Sequence, residues 1–152
     1  MNITGDLLSG VALLSVDIRE LRFLDEPDQM TRGPFGEGEA NIEIQIGVSD
    51  DGREGRITLQ LTVTTPGQSQ PFREMAVSVE GQFRQMTDAP AVPMQEFLNR
   101  QGPVILMPFV RDALATATLK TRFGPVLLPP LNVAAMLDRM AKNTPVQPSA
   151  AQ

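Results

Sequence analysis

Three successive runs with apolar residues at every second position constrain this chain more than any other feature in it. Ile42, Ile44, Ile46 and Val48 alternate with Glu43, Gln45 and Gly47, and Ile57, Leu59, Leu61 and Val63 alternate with Thr58, Gln60, Thr62 and Thr64. In the third run Met75, Val77, Val79 and Phe83 face one way and Ala76, Ser78, Glu80 and Gln82 the other. A period of two gathers each apolar set on one side of a strand and would scatter it around a helix. Asp50-Asp51-Gly52 and Pro66-Gly67 separate the runs, which is the turn chemistry of antiparallel hairpins. Leu14, Val16 and Ile18 supply a fourth strand. Beyond Ile18 the parity flips to Leu21 and Phe23, so a bulge or bend is expected near Arg19-Glu20; the alternative is that both faces of this segment are partly covered. The outward positions are mainly Thr, Gln, Ser and Ala. They suit a solvated β-face or a contact surface.

A sheet that is apolar on one side needs a cover, and the second half of the chain changes period to supply it. Pro93 opens a short helix carrying Met94, Phe97 and Leu98, closed by Gln101-Gly102-Pro103. A long helix is expected from Pro108, tolerable in a first turn where its missing N–H has no partner to lose, to about Thr121. Val110, Ala113, Leu114 and Ala117 share one of its faces, and its charges lie near its ends. So little charge around the middle predicts burial on more than one side. One face is expected to cover the sheet and another to meet a second subunit, with Val110, Ala113, Leu114 and Ala117 assigned to that oligomer contact. Leu127, Leu128 and Leu131 fall in a Pro-rich connector, and Asn132 is a good N-cap for a last helix with Val133, Met136, Leu137 and Met140 on one face. The fold class is α+β: a four-stranded antiparallel sheet, then a long helix and a shorter C-terminal one. At 152 residues one domain is expected, spanning 1–143, with 144–152 a disordered Pro/Ala/Gln-rich tail. The Pro/Gly/acid stretch from Asp25 to Gly38, with Phe35 as its large apolar group, is a long loop of the kind that often carries function.

Composition removes most chemistries. There is no Cys and no His, hence no thiol nucleophile, no Cys/His zinc site and no Ser-His-Asp triad. The net charge of −5 argues against nucleic acid, which wants a basic stripe. Asp50-Asp51 is turn chemistry, Arg111-Asp112 an ion pair or cap, and Gly33, Gly36 and Gly38 precede a strand rather than a phosphate-binding helix. No cofactor or metal is expected, and no enzymatic activity. The N-terminus lacks a leading Lys or Arg and is too short to span a bilayer, so a soluble cytoplasmic protein without membrane insertion is the expectation. What the chain does carry is apolar surplus in segments that prolines keep from regular packing. Phe97, Phe109 and Phe123 flank the connector, and eight Met supply adaptable contacts. Core and oligomer interface account for most of this surplus; the functional reading is that a groove between the connector and the sheet stays partly open and accepts extended apolar chain.

The connector region also resembles a known family. Ile105-Leu106, Pro108-Phe109, Arg111-Asp112, Phe123-x-Pro125 and Leu128-Pro129-Pro130-Leu131-Asn132 are similar, in order and spacing, to the SecB family of protein-export chaperones. The likeness is looser but in step from about Val11 to Met86. It implies a dimer-of-dimers homotetramer acting as an ATP-independent holdase for unfolded precursor polypeptides, handed on to the SecA motor. It places Phe35, Ile42, Phe109, Leu128, Leu131 and Asn132 at the client groove, and Asp17 and Glu20 on the sheet face that meets the motor. Two departures weigh against the motor link: Ala76 stands where the family has an outward acid, and no acid follows Asp138. A dedicated chaperone of one partner, toxin–antitoxin or phage-associated, and a hydrophobic small-ligand carrier are the alternatives.

Overall fold

Each alternating run forms a strand. The computed structural model describes residues 10–25, 39–66, 71–90, 92–121, 125–128 and 132–143. The strands are β1 (Val11–Asp25), β2 (Glu39–Val48), β3 (Glu54–Pro66) and β4 (Pro71–Gln85). They make one antiparallel sheet in the order β1-β4-β3-β2, so β1 and β2 are its edges. The register sets Ile44 opposite Leu59 and Leu59 opposite Val79, with Ile42, Leu61 and Val77 in the next row. Alternation on each strand thereby becomes apolar rows across the whole inner face. At the β2–β3 turn Gly52 takes φ +70°, a left-handed conformation that glycine adopts without steric cost. The Ser49 hydroxyl, at 2.6 Å, and the Arg53 N–H, at 3.0 Å, both donate to the Asp51 carboxylate and hold its pKa below the ordinary range.

The β1–β4 ladder shifts register between Ile18 and Glu20. This is the bulge expected from the parity change, and it returns Phe23 to the inner face opposite Met75. A second shift, between Leu13 and Ser15, has no counterpart in the sequence expectations. It leaves Leu14 outside the ladder and exposed; Ile18, Leu21 and Leu24 are exposed as well, though paired with β4.

Three helices follow: α1 (Met94–Arg100), α2 (Gly102–Thr118) and α3 (Val133–Asn143). α1 and α2 seat on glycines of the sheet. A Cβ on Gly55 would lie 2.7 Å from the Leu98 side chain, and one on Gly81 would lie 2.8 Å from that of Leu106. Close approach there lets Leu98, Leu106, Val110 and Leu114 fill the core with Ile57, Leu59, Val79 and Phe83. Phe83 and Phe97 meet edge to face, ring centroids 5.7 Å apart, a favoured aromatic geometry.

The helix boundaries differ from the sequence expectation. Gly102 and Pro103 open α2 instead of closing α1, and Pro108 lies inside α2. Pro108 and Val104 are both exposed, so water reaches the Val104 carbonyl that Pro108 has no N–H to satisfy. The helix ends at Thr118 rather than Thr121. The positions assigned to a subunit contact also need correction as a surface. Val110, Ala113 and Leu114 are buried in the chain's own core and Ala117 is half-buried. Periodicity marks a face that excludes water without saying what covers it. The large apolar positions that α2 and its C-cap leave exposed are Val104, Phe109 and Leu119.

On the outward face, Ala76, Ser78 and Glu80 are buried although they point away from the core. They lie on a central strand between longer neighbours: Ser78 between Glu20 and Gln60, Ala76 between Arg22 and Thr62. Arg19 donates to the Glu80 carboxylate at 2.8 Å, and that hydrogen bond with its charge holds the Glu80 pKa below its ordinary 4.5. A depressed carboxylate contributes stability above its unfolded pKa and loses it as pH falls through the folded one. Glu80→Gln is therefore expected to cost roughly 1 kcal/mol at pH 7. The gap to the unaltered protein should close as pH drops below about 4.5, read by urea unfolding at several pH values. A gap independent of pH would mean that the pair does not titrate as described.

Candidate functional site

The β2 edge has a covered and an uncovered side. Its inward side chains Ile42, Ile44, Ile46 and Val48 are only half-buried, because the long α2 lies over β4, β1 and β3 and it is mainly the short α1 that reaches β2. α3 faces this strip across a cavity of about 840 Å³. Ile44 and Ile46 line one side, Ala134, Leu137 and Met140 the other, and Asn99, Arg100 and Asp138 bring the polar groups. α3 presents that wall because Asn132 caps it: Asn132 Oδ1 accepts from the Ala135 N–H at 3.0 Å, satisfying a donor that the helix start leaves open. Leu137 and Met140 then fall on one face, with Asp138 and Arg139 exposed.

The volume is in the range of ligand pockets, but the chemistry is that of a contact surface. One carboxylate and one guanidinium with no nucleophile beside them do not assemble an acid, a base and an attacking group. Among the described residues no group of carboxylates is placed to hold a metal ion. Isoleucine and methionine walls with a polar rim accept apolar side chains of varied shape.

The sequence-expected groove residues divide. Ile42 shares the strand face of Ile44 and Ile46 and packs on the core. Phe109 is 43% exposed on α2 and is not among the groove's lining side chains. Leu128 is half-buried and lines a separate pocket of about 290 Å³ with Pro108, Ala115 and Leu127. Asn132 acts as a cap. Phe35 and Leu131 lie outside the described residues, as do the loop 26–38 and the tail 144–152. Ile44, Ile46, Leu137 and Met140 were legible as apolar positions of their elements; the missing information was that β2 and α3 face each other.

Asp17 and Glu20 both lie on the outward face, Asp17 exposed and Glu20 half-buried. They do not form an unscreened acidic patch. Glu20 pairs with Arg22 at 3.4 Å, Arg22 with Glu74 at 2.7 Å, and Arg19 with Glu80 at 2.8 Å. A third cavity, of about 410 Å³ near the β2–β3 turn, has a mixed lining in which Glu54, Arg56, Gln82 and Arg84 stand beside Leu14, Val48 and Phe83. Among the described residues no helix is long and apolar enough to cross a membrane.

A one-sided antiparallel sheet, two helices over it and a third held off its edge define a binding protein with an open apolar groove. The family model described as preprotein translocase subunit SecB matches residues 26–144, and the chain belongs to that family, a family of chaperones. It is 29% identical to the protein-export protein SecB of Zymomonas mobilis, over 89% of this chain and 82% of that one. It is 31% identical to that of Neisseria meningitidis, over 68% of this chain and 71% of that one. An uncharacterized protein of Methanocaldococcus jannaschii, MJ0357, is 28% identical over 64% of each chain. Among solved structures, the Mycobacterium tuberculosis Rv1957 SecB-like chaperone, in complex with a ChAD peptide from the Rv1956 HigA1 antitoxin, shares the fold. Its TM-score is 0.55 at 12% identity, covering 80% of this chain and 90% of that one.

Proposed function

We propose that the protein is an ATP-independent cytoplasmic holdase that binds non-native polypeptides in the groove between β2 and α3. The observation that carries this reading is the groove itself: apolar walls only half-buried, on a sheet edge and a helix without one fully buried residue among those described. Covering about 1,000 Å² of a client's apolar surface at ~25 cal/mol/Å² gives a gross ~25 kcal/mol. Ordering a flexible client offsets most of it, leaving ordinary affinity and broad selectivity. That suits a chaperone whose client must leave without nucleotide energy. Assembly as a homotetramer, a dimer of dimers, belongs to the same reading. It is supported by the β1 edge, which carries exposed Leu14, Ile18, Leu21 and Leu24, and by Val104, Phe109 and Leu119 at α2. An apolar edge strand seeks a partner.

Delivery of precursors to SecA is the less supported half. The Arg19 and Arg22 ion pairs neutralise much of the outward acid, and Ala76 adds none. These observations favour a second reading, a dedicated chaperone of one partner such as an antitoxin, which uses the same groove. Solution mass with aggregation assays on several unrelated denatured proteins, without ATP, separates the readings. A general holdase protects all of them and a dedicated one protects a single partner. A lone compact particle that leaves every client to aggregate ends both. Asp17→Lys with Glu20→Lys should abolish SecA binding and spare client holding if delivery is real.

A further inference from the structure

The groove's width is set by where α3 sits, yet α3 adds little to the hydrophobic core. Among the described residues Val133 is its one side chain packed on the core. The chain reaches α3 through the connector, and among the described residues of that connector two main-chain groups hydrogen-bond to side chains of α2. Thr118 is fully buried at the end of α2; its hydroxyl donates to the Leu114 carbonyl at 2.8 Å and accepts from the Val126 N–H at 2.7 Å. Some two turns earlier on α2, Arg111 Nη2 donates to the Leu128 carbonyl at 3.1 Å. Val126 and Leu128 pack on the core, whereas Leu127 between them is 75% exposed. Residues 125–128 are thus laid back along α2 in one register, with main-chain groups as the fastening points. A main-chain N–H left partly buried without an acceptor costs stability, so the Thr118 contact favours that register.

We infer that Arg111 and Thr118 are positioning residues that fix the groove's width through the connector, although neither lines the groove. The inference rests on the groove being the polypeptide site. Loss of the Thr118 hydroxyl frees Val126, lets α3 drift from β2 and lowers the fraction of molecules with a formed groove. If that fraction fell to about a tenth, the apparent Kd for a client would rise about tenfold.

The chain has no cysteine, so spin labels at Gln45→Cys on β2 and Arg139→Cys on α3, both exposed and off the groove lining, report that width. Labelled chain is diluted with unlabelled chain so that pairs within one subunit are measured, and affinity for one chemically denatured protein is measured alongside. Thr118→Val should broaden the distance distribution and weaken client binding about tenfold, and Thr118→Ser should restore both. Arg111→Ala, at an exposed position that does not threaten the fold, should shift both in the same direction by less. Distances unchanged in Thr118→Val and Arg111→Ala overturn the inference, as does weakened client binding with unchanged distances. If Thr118→Val fails to fold, Arg111→Ala decides alone. If the unaltered protein binds no client, the groove's function is lost, while the distances still decide whether the clasp positions α3.

Discussion

Leu137→Asp combined with Met140→Asp is expected to leave denatured clients to aggregate at ratios where, on the proposed reading, the unaltered protein keeps them in solution. Both side chains are half-buried and line the groove, and neither belongs to the core cluster. Each is already half-buried without client, so losing its client contact forfeits about half of the 1.5–3 kcal/mol that full burial is worth. A carboxylate brought against an apolar client without a partner adds a further penalty. Since each 1.4 kcal/mol is about tenfold in affinity, client binding should fall at least about a hundredfold. Light scattering of an aggregating client reads the loss, and thermal unfolding within a few degrees of the unaltered protein shows that the fold is intact. Full protection by this variant would move the client site elsewhere.

Leu114→Ala is expected to cost about 2–5 kcal/mol of folding stability, against less than about 1 kcal/mol for Phe109→Ala. The order inverts what side-chain size suggests. Leu114 is 1% exposed in the core and Phe109 is 43% exposed on the same helix. Urea unfolding at several protein concentrations separates core from contact, because a loss at a subunit interface depends on concentration and a cavity in the core does not. A Leu114→Ala variant with an unchanged midpoint and weakened assembly would restore that side chain to a subunit contact.

These two expectations mark where one-dimensional reading succeeded and stopped. Ile57 to Val63 could be placed on a buried face because alternation with Thr and Gln has no other economical solution. The Arg19-Glu20 bulge was readable because it is itself a break in parity. The break at Leu14 was not, since the unbroken apolar run Val11-Ala12-Leu13-Leu14 masks any change of phase. Helix starts misled for a similar reason. Pro108 carries a strong local signal, and only solvent around the Val104 carbonyl makes it acceptable inside α2.

Of the side chains expected at a client groove, Ile42 lies on the strand that borders the cavity and Asn132 caps the helix across it, while Phe109 and Leu128 lie on other surfaces. Their apolar character is a fact of sequence. Whether that character faces a client, a second subunit or the chain's own sheet depends on which elements come together.

Local pattern therefore determined the strands, their faces, the hairpin at Gly52, the cap at Asn132 and the absence of thiol or imidazole chemistry. Each of these depends on neighbours within a few positions. Tertiary structure alone decided that β1 and β2 are the edges, that α2 turns Val110 and Leu114 inward, and that α3 stands across from Ile44 and Ile46. Those are contacts between residues far apart in the chain, chosen by which apolar faces exclude the most water together. No period within one segment encodes that choice.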